Sequence, residues 1–230
     1  MKKLFLVFLA AAAVSAHSFA AEFILSPTIG FSNTGVAGVY TQTESGYSSE
    51  SKNFTMSFNH MPIGITLGLV TDKGFTFMVN NDFSVAGKGT MKSGGDSMDL
   101  KLGKNTIFQQ SFILGATFKL LNEKLFINVG SGFTWGVGKI TPYRDIFGQE
   151  YSFADMWHVN LGIPLQAGAQ YFFTKNIGIN LLLSDAIGLA LGQASRTSIS
   201  IGGLSYSSGD MTSLGFSNIF TVKVGPIFKF

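Results

Sequence analysis

The two histidines beyond the first twenty residues, His60 and His158, are the side chains best suited to acid–base chemistry. Asp155 stands three positions before His158, and a histidine held beside a carboxylate or a serine can act as a general base. A histidine on the polar face of a strand explains His158 without catalysis, and we favour this interpretation. We therefore expect that the protein is not an enzyme.

Neither a metal site nor a cofactor site is predicted. Asp96 and Asp99 lie in a Gly/Ser-rich segment, but two carboxylates without further oxygen ligands are weak grounds for a cation site. The Gly-x-Gly patterns at 130–132 and 136–138 lack the Gly-Lys-Ser/Thr of a phosphate-binding loop. The chain has 0 cysteines, which excludes disulfides and thiolate-bound metals.

The carboxyl terminus carries the most specific motif in the chain. Residues 223–230, Lys-Val-Gly-Pro-Ile-Phe-Lys-Phe, fit the pattern polar-x-Gly-x-x-aromatic-x-aromatic, with Lys223, Gly225, Phe228 and Phe230 at its defined positions. This resembles the β-signal by which bacterial outer-membrane proteins are recognised. An exposed strand can pair with another strand, and alternate aromatic side chains make such pairing specific. The resemblance implies the barrel assembly machinery as a partner, although an ordinary last strand would also fit.

Residues 1–20 are typical of a secretory signal peptide, with Lys2 and Lys3 before an apolar run at 4–14 and a small-x-small cleavage pattern at 18–20. The run is shorter than the roughly 20 residues that a transmembrane helix needs, although a retained signal anchor stays an alternative. Without this segment the 16 basic residues fall by two, so the formal charge is 14 − 13 = +1. We expect no nucleic-acid partner from so small a charge. Residues 21–230 are assigned to one domain.

The composition is too apolar for an ordinary exported soluble domain, because 46% of the residues are hydrophobic and only 13% are charged. No later segment is long and apolar enough to be a membrane helix. A closed transmembrane β-barrel resolves the conflict, because its strands satisfy every backbone group and carry lipid-facing apolar residues at alternate positions.

Short polar turns divide the chain at regular distances, at 71–74, 122–124 and 174–176. Four longer polar or Gly/Ser-rich segments alternate with the turns, at 33–52, 86–105, 141–155 and 186–213. Short periplasmic turns that alternate with long extracellular loops are typical of outer-membrane barrels. The sequence therefore predicts an all-β fold: an antiparallel up-and-down barrel of eight strands with four long extracellular loops.

Within the predicted strands the hydrophobic pattern has a period of two, which indicates strands rather than helices. One face of each strand is apolar and would contact lipid. The other face is polar or small and would line the interior. The polar and flexible candidates for the interior are Met78, Asn80, Asp82, Asn128, His158, Asn160, Gln166, Gln170 and Asn180.

Aromatic residues at the predicted strand ends favour the barrel over a soluble β-sandwich, which stays an alternative. Membrane barrels carry aromatic girdles at both interfaces. The candidates for these girdles are Phe75, Phe77, Tyr171 and Phe173 beside the short turns, and Trp135 and Trp157 beside the long loops.

Two strands depart from strict alternation. In the second strand the apolar residues stand at even positions up to His60 and at odd positions from Ile63, so we predict a β-bulge at Pro62 and an outward-facing His60. In the seventh strand Asp185 falls at an outward position, where a carboxylate facing lipid is costly. Either a bulge at 184–185 or the end of the membrane-spanning strand would explain it.

Two stretches, 180–188 and 221–230, resemble a treponemal family of small outer-membrane barrels whose function is unknown. More distantly, the layout is similar to OmpW-type barrels, which pass small hydrophobic molecules, and to OmpX-type barrels, which are solid and present their loops. The resemblance implies the outer membrane of a spirochaete, with outer-membrane lipid around the barrel. It supplies no catalytic residue.

Eight strands enclose an interior that side chains can fill or that can hold one small ligand, which leaves two hypotheses for function. The first is a narrow conduit or pocket for a small, partly hydrophobic solute, because glycines and apolar residues line the interior. The second is a plugged barrel whose loops bind a host surface ligand. Aromatic residues and Arg dominate interface hot spots, so the third loop supplies the candidates Tyr143, Arg144, Phe147 and Tyr151.

Overall fold

The computed structural model describes residues 21–43, 50–93, 95–102, 106–146, 149–152, 155–194, 198–201, 204–207 and 210–230. The described chain contains no helix with the length and apolar character needed to cross a membrane. Its strands are β1 (Ala21–Thr43), β2 (Glu50–Thr71), β3 (Phe75–Ser93), β4 (Asp96–Leu102), β5 (Thr106–Leu120), β6 (Leu125–Ile140), β7 (Pro142–Ile146), β8 (Gln149–Ser152), β9 (Met156–Phe172), β10 (Ile177–Ala194), β11 (Ser198–Ile201), β12 (Leu204–Ser207) and β13 (Asp210–Lys229).

Eight long antiparallel strands close into a ring in the order β1, β2, β3, β5, β6, β9, β10 and β13, and β13 pairs again with β1. At this seam the backbone groups of Phe23 and Phe230 exchange two hydrogen bonds, of 3.1 and 2.9 Å. The predicted up-and-down barrel of eight strands is confirmed. Closure leaves none of these eight strands with an unpaired edge.

The register fixes the size of the barrel. A path through the partners Ile29, Ile63, Phe83, Phe108, Val137, Val159, Leu191 and Leu214 returns to β1 at Val39, ten residues beyond its start. With usual strand spacings this shift gives a tilt of about 40° and a radius of about 8 Å. Each residue then rises about 2.5 Å along the barrel axis, so an apolar belt of about 25 Å needs about ten residues per strand.

The three predicted turns lie at one end of the barrel, which we call the turn end; the opposite end is the loop end. Strand β2 ends at Thr71 and β3 begins at Phe75. Gly74 in this turn has a φ of 80°, and its position lies directly against the backbone carbonyl of Thr117. Both features require glycine, since a side chain would be strained and would collide.

Alternation of the two faces is confirmed along the wall. On β3, Asn80 and Asp82 are buried in the interior, while Phe83 and Val85 are exposed outside. Five apolar side chains on the inward face of the wall are also buried: Met78, Ile113, Leu182, Ile219 and Ile227.

The predicted bulge at Pro62 is wrong. Even-numbered residues of β2 face the interior on both sides of Pro62, and His60 is 5% exposed inside rather than outward. The register shift lies on the partner strand, where Asn59 pairs with Lys88 and His60 with Ala86, so that β3 has the extra residue. The prediction failed because it assumed that every large apolar side chain faces lipid.

The bulge predicted at 184–185 is wrong, and strand β10 does not end at Asp185. Strand β10 continues without a bulge for nine residues beyond it, to Ala194. Asp185 faces outward between the exposed side chains of Leu183 and Ile187, and its Oδ1 accepts a hydrogen bond of 2.7 Å from Asn218.

Much of the sequence predicted as long loops is strand. Strand β1 extends to Thr43, β2 begins at Glu50, and β3 continues to Ser93. Beyond the ring, β4 pairs with β3 and β7, β7 pairs with β8, and β11 pairs with β12. The wall therefore rises well beyond the ten residues that a membrane requires.

Candidate functional site

The barrel interior is filled by layers whose chemistry changes along the axis. Successive inward residues of β1 sample these layers, from Glu22 at the turn end through Ile24, Ser26 and Thr34 to Val36. We describe the layers in this order, since any ligand or solute would have to enter them.

A charged group and an apolar seal close the turn end. Glu22 forms ion pairs with Lys119 and Lys229, each at 2.9 Å. The Lys229 ammonium lies 4.9 Å from the ring centroid of Phe126 and 5.0 Å from that of Phe172. Five apolar side chains, no more than 1% exposed, form the turn-end seal: Ile24, Val70, Phe126, Phe172 and Ile227.

A buried ion pair crosses the middle of the interior. The Lys223 ammonium donates to both carboxylate oxygens of Asp82, at 2.9 and 2.8 Å, and the residues are 4% and 7% exposed. Asp82 lies on β3 and Lys223 on β13, which are not neighbours in the ring. A side chain at Gly64 would collide with the Asp82 carboxylate. The pair therefore blocks the interior at mid-height.

An amide network lies beside this ion pair. Asn80 accepts a hydrogen bond of 2.7 Å from Thr66 and donates one of 2.7 Å to Gln166 on the far wall. Gln166 also donates to the sulfur of Met78 at 3.3 Å. The network joins β2 and β3, which are neighbours in the backbone ladder, to β9 across the interior.

Substitution of Asn80 by Ala should lower the free energy of unfolding by about 1–3 kcal/mol, because Thr66 and Gln166 lose buried partners. Urea unfolding in phospholipid vesicles would measure the change. Asn53→Ala is the matched control, since Asn53 is exposed on β2, and it should change stability by less than about 0.5 kcal/mol. Equal effects of the two substitutions would contradict the role of the network.

The two histidines lie together above the ion pair. Thr34 Oγ1 lies 3.0 Å from His60 Nε2, and the Phe58 ring centroid lies 5.7 Å from that of His60 and 6.0 Å from that of His158. Both imidazoles border a cavity of only about 10 Å³, which suits a single water molecule. Within the described chain, neither ring nitrogen of His158 has a hydrogen-bond partner, which also fits a hydrated site.

The predicted pair of His158 and Asp155 does not form. His158 is buried inside, where a side chain at Gly138 would collide with its ring. Asp155 accepts hydrogen bonds from Thr141 at 2.7 Å and from Lys139, and the Lys139 ammonium holds the pKa of this carboxyl below its usual value. No cluster of three or more His, Asp or Glu side chains occurs among the residues that the structure describes.

An apolar cluster fills the interior at the loop end. Phe58 is 1% exposed, and Tyr40 and Met91 pack against the cluster from its rim. We call it the upper cluster, and its members are Val36, Phe54, Met56, Phe58, Ile107, Ile140 and Ala190. Sequence reasoning missed Phe54, Met56 and Phe58 here. Unbroken even-numbered spacing from 54 to 70 was the signal that could have found them.

The remaining predicted residues occupy both faces of the wall. Four of the interior candidates are buried: Asn128, Asn160, Gln170 and Asn180. Phe75, Phe77, Tyr171 and Phe173 lie outside near the turn end. Trp135 pairs in register with Leu161 on β9. Trp157 lies on the same strand as Leu161 but four residues nearer the loop end, so the two tryptophans are not level with each other.

The motif at the carboxyl terminus divides between the two faces. Lys223 and Gly225 point inward, while Phe228 and Phe230 point outward. Residues of the third loop lie beyond the ring. Backbone pairing joins Tyr143 to Ser152 and Arg144 to Tyr151 across β7 and β8, and Phe147 lies outside the described residues.

Solved structures of known barrels match nearly the whole chain. OprG of Pseudomonas aeruginosa has a TM-score of 0.58 at 12% identity, over 92% of this chain and 97% of that one. Ail, the attachment invasion locus protein of Yersinia pestis, has a TM-score of 0.35 at 16% identity, over 90% and 98%. The outer membrane protease OmpT of Escherichia coli has a TM-score of 0.36 at 10% identity, over 91% and 97%.

The likeness to OprG shows a shared fold, and at these identities no functional residue transfers to this chain. A comparison with curated protein sequences finds no significant match. A family described as "Domain of unknown function (DUF2715)" matches residues 19–230. The chain belongs to this DUF2715 family, and it shares the β-barrel fold of OprG.

Proposed function

We propose that the protein is a closed barrel whose extended extracellular strands form a rigid platform for binding a ligand at the cell surface. One observation carries the proposal: the described interior is filled at every level, from the turn-end seal through the Asp82–Lys223 pair to the upper cluster. A filled interior suits an anchor better than a passage.

The platform is the part of the wall that rises beyond the membrane belt. Strand β3 continues into a hairpin with β4, and β4 pairs with β7 through Lys101 and Tyr143. This pairing connects the second extracellular segment to the third. Binding residues often lie on segments that a rigid scaffold positions, so Tyr143, Arg144 and Tyr151 stay the candidates for contact with a ligand.

The conduit for a small hydrophobic solute stays a prediction with weaker support. A solute would have to displace the upper cluster, the buried ion pair and the turn-end seal in succession. Unpaired buried polar atoms, such as Asn160 Oδ1 and Gln170 Oε1, are consistent with single water molecules in the interior rather than with a continuous path. We also propose no catalytic step.

Planar-bilayer recording would separate these two functions. We expect no steady conductance from the full chain, because three charged or apolar layers block the interior. A quadruple variant, with Asp82→Ala, Lys223→Ala, Phe172→Ala and Phe58→Ala, removes side chains from all three layers and serves as the positive control for opening. Steady conductance or uptake of an apolar dye by the unchanged protein would contradict the closed barrel.

Removal of the β7–β8 hairpin would test the platform. Replacement of residues 142–152 by a short Gly/Ser turn should abolish binding to immobilised extracellular-matrix proteins and to cultured cells, while the barrel still folds. Replacement of the three residues of the periplasmic turn 174–176 by Gly/Ser is the control and should leave binding unchanged. Unchanged binding after removal of the hairpin would contradict the proposal for this segment.

A further inference from the structure

The outward face around the seam of β1 and β13 is apolar over a greater height than a membrane covers. On β2 the outward apolar residues run from Leu69 to Met61 and are followed by Asn59, which matches a belt of about 25 Å. On β10 they run from Ile177 to Leu191, about 35 Å at the rise given above. The same face therefore presents large apolar side chains beyond the belt.

These additional side chains are well exposed. Phe216 is 71% exposed, Leu214 58%, Leu189 and Leu191 46% each, and Val39 44%. They are contiguous, because Leu189 pairs in register with Phe216, and Leu214 pairs with both Leu191 and Val39. An exposed apolar patch of this kind marks an interaction surface. We use the name seam face for this apolar patch together with five neighbouring residues. Asp185, Asn218 and Asn33 lie below the patch, and Gly35 and Ala37 lie beside it.

A carboxylate lies within the lipid-facing part of the same face. Asp185 is eight residues above Ile177, inside the belt, with Leu183 below and Ile187 above it on the outward side. Its only hydrogen bond within the described chain comes from the Asn218 amide. Polar groups facing lipid are costly, and ionisable residues at membrane depth usually face protein or water. Asp185 thus gives a second, independent reason for a covering partner.

The seam face carries a depression and a projecting aromatic side chain next to each other. Gly35 and Ala37 leave a trough of about 560 Å³ between Phe216 on one side and Thr55 and Ser57 on the other. Phe216 is the register partner of Ala37, so the most exposed large side chain stands beside the trough at nearly the same height. A benzyl side chain is much smaller than this volume.

We propose that the seam face binds a second copy of this chain in the outer membrane, around a two-fold axis that runs along the membrane normal just outside the β1–β13 seam. This axis places Phe216 of each copy against the trough of the other. It also places Asn218 opposite Asn33, whose amide already bonds to Asn59 and Ser57 at 2.7 and 3.2 Å. A two-fold contact requires a self-complementary patch, and amide groups can join membrane-embedded surfaces.

Lipid and water each explain only part of the seam face. Lipid would cover the apolar residues within the belt but would leave Asp185 with the Asn218 amide as its one polar partner in the described chain, and the apolar run on β10 is taller than the belt. Water would hydrate the upper part at the cost of large exposed apolar area. A second barrel covers both parts, and this inference does not depend on what the extracellular platform binds.

Disulfide trapping would test the two-fold contact, because the chain has 0 native cysteines to give a background. Chains with Ala37→Cys and chains with Phe216→Cys would be mixed, reconstituted in phospholipid vesicles and oxidised. We expect a crosslinked dimer from the mixture. The matched control is a mixture of Phe112→Cys and Phe133→Cys, which are exposed register partners on another part of the wall and should not crosslink.

A second measurement protects the test against misfolding. Single-molecule photobleaching in vesicles should show two-step traces for the unchanged chain, and Phe216→Ala should weaken dimerisation about tenfold, as expected for an interface hot spot. Heat-modifiable migration would confirm that each variant folds. One-step traces from the unchanged chain, or equal crosslinking in both mixtures, would overturn the proposal and leave the face to lipid or to another membrane protein.

Discussion

Substitution of Lys223 by Met should lower the free energy of unfolding by about 3–5 kcal/mol, the usual cost of leaving a buried charge without its partner. The Asp82 carboxyl group would be left without its cationic partner in an interior where it is only 7% exposed. The ammonium makes two short contacts with this carboxylate, and no other ion pair of Asp82 occurs in the described chain. Urea unfolding of the protein refolded into phospholipid vesicles measures the loss.

Two control variants separate charge from packing. Lys139→Met removes the cation of a different ion pair, the one with Asp155. The Lys139 side chain is 40% exposed, so we expect the free energy of unfolding to fall by less than about 1 kcal/mol. The double variant Asp82→Leu with Lys223→Met removes both charges and should recover most of the stability lost in Lys223→Met. A Lys223→Met variant no less stable than Lys139→Met would contradict a structural role for the buried pair.

Stability should be measured after refolding into vesicles rather than after assembly in cells, because Lys223 has two proposed roles. It belongs to the predicted assembly signal, and in the folded barrel it is the charge that meets Asp82. Refolding into vesicles without the assembly machinery measures only the second role. Asp82 lies on β3 and Lys223 on β13, which are not neighbours in the ring, so the pair joins two walls of the barrel across its interior.

The sequence predicted the parts of the fold in which local pattern and environment agree. Alternation identified the interior positions of Asn80 and Gln166 because, along their strands, polar residues that face the interior alternate with apolar residues that face outward. It failed at Phe58 and His60. From Met61 to Leu69 the outward face of β2 is apolar, whereas at Phe58 the inward face is apolar and belongs to the upper cluster. Periodicity gives the spacing of a face but not which side of the wall it occupies.

The assignment of aromatic residues near the turns shows the same limit. Phe173 lies outside and is 65% exposed, whereas its neighbour Phe172 is 1% exposed inside the turn-end seal. Composition could not distinguish them, because a narrow barrel needs bulky side chains to close its interior as much as it needs them at the lipid interface. The Asp82–Lys223 pair joins residues 141 positions apart, which no local pattern predicts.

Substitution of Phe230 by Ser should reduce the amount of folded protein in the outer membrane of cells by on the order of tenfold, because alternate aromatic side chains make the pairing of a strand edge specific. The same substitution should cost only about 1 kcal/mol in the refolded barrel, since Phe230 is 69% exposed and its one aromatic neighbour among the described residues is Phe23, with the ring centroids 6.2 Å apart. Cell fractionation with heat-modifiable migration measures the first effect, and urea unfolding in vesicles measures the second.

Phe173→Ser is the matched control for the terminal residue. Phe173 is 65% exposed on the same end of the barrel and has one aromatic partner, Tyr171, at 5.6 Å. If Phe230 is read during assembly, the two variants will have similar stability in vesicles but different abundance in cells. If both variants reach the membrane equally well, Phe230 acts only as an interfacial aromatic residue, and the motif is an ordinary last strand. Because backbone bonds between Phe23 and Phe230 persist with any side chain, the contrast isolates recognition from closure of the seam.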